Sequence, residues 1–179
     1  MRLSPCFAIA CVATCLFCAA CAKSPETTTA LRPETTLGLD HRFDIKVGDV
    51  PVQMRLAVRP HEQERGLMHV KSMPEGEGMI FTYEAPRKMS FWMRNTFIPL
   101  DIGFFDGTGV LKEVHALFPH VEDPVASNTA DMRYALEMNR GWFAKNKVGI
   151  GSRLALETLA QALAARGFEA EKYVTLGTP

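Results

Sequence analysis

Residues 43–59 read FDIKVGDVPVQMRLAVR. Phe43, Ile45 and Val47 alternate with Asp44 and Lys46, and Val50, Val52, Met54, Leu56 and Val58 alternate with Pro51, Gln53, Arg55, Ala57 and Arg59. A period of two is the signature of a strand with one buried face. Gly48-Asp49 between the two runs puts glycine first in a two-residue turn, which suits type II′. This stretch is therefore a β-hairpin, and it sets the expectation of a β-rich domain.

Strand signals continue outward from it. Pro60 opens a short polar stretch, residues 61–65, expected to make one or two helical turns with proline at the first position, and Gly66 ends it. Pro74, Gly76 and Gly78 mark a loop. A strand is predicted over residues 79–83, broken by Ala85-Pro86. Residues 89–105 form a second apolar run interrupted at Pro99, a strand edge, bend or bulge. After the turn Asp106-Gly107-Thr108-Gly109, strands are predicted over residues 110–117 and 132–138, with a last one over residues 148–156. Residues 118–131 have no period, and a loop of that length in a small domain is more often functional or mobile than accidental. Residues 141–147 suit a helical turn or two. Thr158 and Gln161 have capping-box spacing before a helix that ends at Gly167, with Leu159, Ala162, Leu163 and Arg166 on one face. Residues from 168 onward read as a tail. The expected fold is mainly β, a compact antiparallel sandwich or barrel-like domain with one or two short helices and a C-terminal helix.

The N-terminus has a different character. Met1-Arg2 is followed by an apolar run from Cys6 to Cys21, too short for a comfortable bilayer span of about 20 residues and fitting a secretory signal over residues 1–22. A short retained membrane anchor is the alternative. Cys18-Ala19-Ala20-Cys21 resembles a bacterial lipobox, which would place a lipid on Cys21; ordinary cleavage after Ala22 is the competing route. Residues 23–40, rich in Thr, Pro and Glu, read as a disordered tether, spanning roughly 20–25 Å as a flexible chain. A tether serves a lipoprotein better than a free secreted domain, so the expected location is the periplasmic side of a bacterial envelope, anchored to the membrane through an N-terminal lipid, with a soluble periplasmic form as the alternative.

All 5 cysteines lie in the signal segment, so the domain over residues 41–157 and the C-terminal helix and tail over 158–179 have no disulfide, thiol nucleophile or cysteine metal site. Lys plus Arg equals Asp plus Glu at 20 each, and the charges are mixed, which disfavours a nucleic-acid surface. About 135 residues beyond the tether suffice for a single core.

Gly66-Leu67-Met68, Glu77-Gly78-Met79-Ile80-Phe81 and, above all, Ser90-Phe91-Trp92-Met93-Arg94-Asn95-Thr96-Phe97-Ile98-Pro99-Leu100-Asp101-Ile102 resemble the domain of unknown function 192 family, and Leu136-Glu137 with Gly141 and Gly151 continues the pattern. The resemblance runs from about Phe43 to Leu156. It implies a mainly β, sandwich-like or barrel-like fold and exported homologues. It implies no activity.

The strongest polar constellation is Asn95, Asp101 and Glu137 around Trp92, with Arg65 as a partner. If alternation holds from Phe91, then Phe91, Met93 and Asn95 share a face. Were Asp101 and Glu137 to converge on Trp92 and Asn95, they would form a small-ligand pocket with an aromatic floor and polar rim, or a general acid and base if burial raised one pKa. The structural alternative is that Asn95 and Asp101 cap loops and Glu137 pairs with Arg65 or Arg133. The methionines offer a Cu(I) site, with Met68, His69 and Met73 or Met89 and Met93, against ordinary core packing. His115, His120 and Asp123 match no established metal spacing, His61-Glu62 lacks a second histidine, and no serine stands in a nucleophile elbow. No resident metal or cofactor is expected. The function this supports is binding of a small ligand or envelope partner; the alternatives are a small enzyme using Asp101 and Glu137, or a copper-binding protein.

Overall fold

The computed structural model describes residues 37–176. The signal segment, Cys21 and the tether up to residue 36 lie outside them. The described part of the tether is not free: the Leu37 carbonyl accepts a hydrogen bond from Arg166 at 3.0 Å, and Leu39 packs on the core.

β1 (Phe43–Val47) and β2 (Val50–Ala57) form the expected hairpin, with Val47 opposite Val50. Gly48 alone carries a positive φ, 58°, as a type II′ turn requires. Ile45, Val47, Val52, Met54 and Leu56 are buried. α1 (Pro60–Arg65) starts on its proline and stops at Gly66, which has φ 47°. It carries the chain back so that β3 (Glu77–Arg87) lies parallel to β2, Gln53 opposite Glu77. β3 runs past Ala85-Pro86, but its ladder to the next strand is interrupted between Thr82 and Arg87, because proline offers no amide.

The apolar run over residues 89–105 is not one strand. It splits into β4 (Ser90–Phe91), an irregular segment, and β5 (Leu100–Asp106). The break comes before Pro99: Asn95 adopts a left-handed conformation with φ 53°, so Met93 is buried while Asn95 is exposed, and the expected alternation fails there. β6 (Leu111–Leu117) follows as a hairpin partner of β5, β7 (Val125–Ala126) pairs with β4, and β8 (Met132–Asn139) enters the centre of the sheet. The order is β1-β2-β3-β8-β5-β6, antiparallel except for β2 and β3, with β4 and β7 as a separate small sheet. The expectation of a mainly β fold holds; the sheet is mixed and does not close into a barrel.

Two apolar cores flank the large sheet. One lies under α2 (Trp142–Lys145) and α3 (Leu156–Ala165) and includes Leu136, Met138, Phe143 and Leu159. Gly103 makes room for it, since a Cβ there would stand 2.7 Å from the Phe143 ring. The other lies under the segment from Met89 to Ile98 and includes Met79, Phe81, Ile102 and Phe104. Three local expectations differ. Residues 148–156 contribute only isolated bridges at Arg153 and Leu154, the chain turning at Gly151 with φ 92°. α3 begins at Leu156, and Thr158 donates back to the Ala155 carbonyl at 2.9 Å instead of capping the helix. The tail is part of the domain, for Val174 is buried and the Tyr173 carbonyl accepts the Tyr134 hydroxyl at 2.9 Å. Among the described residues no helix is long and apolar enough to cross a membrane.

Candidate ligand pocket

Register decides where the two carboxylates point. Glu137 stands opposite Ile102 on one side and Met79 on the other, whereas Asp101 stands opposite Met138. Directly opposed residues share a sheet face. Met79 and Ile102 belong to the core under the Met89–Ile98 segment, and Met138 to the core under α3. Asp101 and Glu137 therefore lie on opposite faces, and the expected convergence around Trp92 does not occur. An acid–base pair made from them is ruled out by this geometry.

Asp101 is a loop anchor. Its Oδ2 accepts the Gly141 amide at 2.7 Å, and its Oδ1 takes the Arg140 guanidinium at 3.2 Å. Gly141, at φ 82°, begins α2, so this carboxylate ties the end of β8 to that helix.

Glu137 is different. It is 5% exposed, and burial pushes its pKa from 4.5 up to about 8. Its Oε2 has no hydrogen-bond partner among the described residues. The expected pairing with Arg65 or Arg133 is absent: Arg133 spends its donors on the carbonyls of Tyr83, Glu84 and Lys172 and on the Thr175 hydroxyl. On a central strand between Met79 and Ile102 the carboxyl is buried, and burial penalises its charged form, so the neutral acid is favoured.

Glu137 is among the residues that line a cavity of about 320 Å³. Phe81 and Phe91 meet edge to face at 4.9 Å in its wall, with Thr96, Tyr83 and Trp92 around them. Burial raises the Tyr83 phenol, which the charge of Arg87 opposes and that of Glu137 reinforces. Arg65, Arg87 and Lys88 line the rim. α1 holds that rim in place: Gln63 Nε2 donates to the carbonyls of Val58 at 3.1 Å and Thr82 at 2.9 Å. A second hollow of about 430 Å³ adjoins the first, lined by His69, Arg94 and Asn95 and sharing Glu64, Arg65, Met68 and Trp92 with it. Its floor is set where the His69 amide donates to the Asn95 carbonyl at 2.9 Å.

Of the residues singled out from sequence, Arg65 and Trp92 thus line both hollows, Glu137 the inner one, Asn95 the outer one, and Asp101 neither. Sequence reasoning missed Tyr83, Arg87, Lys88 and Thr96. The basic pair after Pro86 was the available signal, since it interrupts an otherwise apolar run. The methionines proposed for copper are mostly core: Met73, Met89 and Met93 are buried among apolar side chains. His120 sits 5.1 Å from Phe97, edge to face, and among the described residues no three His, Cys, Asp or Glu side chains cluster as metal ligands.

Two solved structures share this fold. One is a proposed transcription regulator from Sinorhizobium meliloti 1021, 30% identical, with a TM-score of 0.60, covering 63% of this chain and 92% of its own. The other is a protein of unknown function from Novosphingobium aromaticivorans DSM 12444, 29% identical, with a TM-score of 0.61, covering 70% of this chain and 90% of its own. No curated protein matches the chain significantly. The family DUF192, described as uncharacterized ACR, matches residues 43–156, the stretch that contains the hairpin, the Phe91–Asp101 motif and Glu137. The chain belongs to the DUF192 family.

Proposed function

We propose that this domain binds a small ligand in the cavity floored by Glu137, and that the protein is held by a lipid on Cys21 at the periplasmic side of the envelope. The observation that carries the ligand reading is the buried, unpaired Oε2 of Glu137, a residue that lines a cavity. A buried polar group without a partner costs about 1–3 kcal/mol, and such a group is retained where something else satisfies it. The cavity has the size of a small-molecule site, and it sets an aromatic wall against a lining rich in polar and charged side chains. The anchor reading is supported by the lipobox-like Cys18–Cys21 stretch and the polar segment that follows it.

Native mass spectrometry of the protein extracted gently from its own membrane tests both. The expected result is a diacylglycerol-scale mass on Cys21, lost in Cys21→Ala, and a retained adduct that disappears in Glu137→Leu. A mature N-terminus at Lys23 overturns the anchor. An adduct that persists in Glu137→Leu overturns the site.

A protein partner is the second reading, favoured by Trp92, Phe97 and Phe118, which remain 42%, 45% and 56% exposed. Photo-crosslinking from position 118 in the envelope would trap such a partner, whereas a small-ligand site alone leaves that position uncoupled.

A further inference from the structure

Resting on the ligand reading above, we propose that the groove takes an acidic sugar, a pyranose bearing a carboxylate or a phosphate.

The charge of the groove calls for an anion. Arg65, Arg87, Lys88 and Arg94 all line it, and none of the four has a carboxylate partner among the described residues. Elsewhere on the domain most arginines are committed. Arg42, Arg55, Arg59, Arg140 and Arg166 are in ion pairs, and Arg133 is spent on carbonyls. Among the described residues the only acidic side chains lining the groove are Glu64 and Glu137. Glu137, held neutral by burial, does not repel an anion and presents both a donor and an acceptor.

The remaining lining calls for hydroxyls on a ring. Tyr83, Ser90 and Glu137 are neutral hydrogen-bonding residues in the lining of the inner hollow, and Gln63 and Thr96, whose donors are spent on the carbonyls of Val58, Thr82 and Arg94, add acceptors. Trp92 stands between the two hollows and is 42% exposed, with the Arg94 guanidinium 5.6 Å from its ring centre. Arg94 lies over one face of the indole, and the other presents its negative π cloud to the weakly positive C–H face of a pyranose. A purely apolar anion would leave Glu137 unsatisfied, and a neutral sugar would leave four cations unused. The two adjoining hollows give room for a ring in the inner one and the acidic group beside Arg65, which borders both.

Calorimetric titration of the full chain with D-glucuronate, D-glucose 6-phosphate, D-glucose and hexanoate tests this. The expected result is saturable binding of glucuronate or glucose 6-phosphate, whichever carries the preferred acid, with glucose and hexanoate at least about tenfold weaker. Arg65→Gln should weaken the acidic sugar by about tenfold. Arg153→Gln, outside the groove, should leave it unchanged. Glucose or hexanoate binding as tightly as both acidic sugars, and losing that binding in Glu137→Leu, overturns the acidic-sugar class while the pocket stands. Failure of both acidic sugars to saturate overturns the class as well. Binding indifferent to both Arg65→Gln and Glu137→Leu places the ligand elsewhere and overturns the site itself.

Discussion

Arg166 is buried beside Glu62, its Nη2 donating to Oε1 at 2.5 Å and its Nη1 to Oε2 at 3.3 Å. The same guanidinium donates to the carbonyls of Leu37 and Leu56, and Glu62 Oε2 also accepts the amides of Val58 and Arg59 at 3.0 Å. The end of α3, the start of α1, β2 and the segment before β1 thus meet at one ion pair. Because α1 carries Arg65 to the rim of the cavity, this pair fixes part of the site from behind.

Removing one partner leaves a buried charge uncompensated. Arg166→Met is expected to cost about 3–5 kcal/mol, read as a lower urea midpoint, while Glu62→Gln together with Arg166→Met costs less than the sum of the two. Burial pushes the Glu62 carboxyl up, but Arg166 and the amides of Arg59 and Val58 outweigh that and hold it at about 2 against an ordinary 4.5. A depressed folded pKa gives stability that is present above 4.5 and lost as pH falls toward 2. Wild type should lose stability across that window, and Glu62→Gln should show less of the loss in urea melts.

Glu137 has the opposite sign. Its folded pKa of about 8 exceeds the ordinary 4.5, so between these values the unfolded chain releases a proton that the native state keeps. Stability then falls as pH rises, by up to about 1.4 kcal/mol per pH unit, and levels off above 8. Glu137→Gln removes this slope, so the variant should gain on wild type as pH is raised from 5 to 9, whereas equal slopes for the two proteins would mean that Glu137 is ionised in the native state.

Asp101 should matter for stability and not for ligand. Asp101→Ala strands the Gly141 amide and frees Arg140, a loss of about 1–3 kcal/mol; Asp101→Asn keeps one acceptor and loses less. Affinity for any ligand of the cavity should be unchanged in Asp101→Asn, because the side chain lies on the other face of the sheet.

Gly78 stands opposite Met138 in the ladder between β3 and β8. A Cβ there would stand 2.7 Å from the Glu137 carbonyl and overlap the Met138 sulfur. Gly78→Ala should cost about 1–3 kcal/mol and, by displacing the backbone that carries Glu137, weaken ligand binding as well. Calorimetry beside a denaturant melt separates the two effects.

Much of this was legible in the chain. The period of two over residues 43–59 gives the β1–β2 hairpin with its buried face, and Gly48 gives its turn, because alternation and a positive φ are local properties. Pro60 and Gly66 bound α1, and Leu159, Ala162 and Leu163 on α3 and Arg166 at its C-terminal end are all buried as their spacing implies. Where a local rule had a competitor the outcome was not legible. The apolar run before Pro99 has strand periodicity, yet it folds over the sheet at Asn95 because it covers a core that the run itself cannot reveal.

By itself the sequence determined a mainly β domain, its first hairpin, the inward face of its last helix and the motif that marks its family. Only the tertiary structure decided that β8 enters between β3 and β5, and in which register. Within one strand the alternation of faces is covalent geometry, but the offset between strands far apart in the chain is set by which side chains pack together, and a shift of one residue exchanges the faces. That offset put Asp101 beside Met138 and Glu137 beside Ile102, making one carboxylate a loop anchor and leaving the other buried and unpaired at the floor of a cavity.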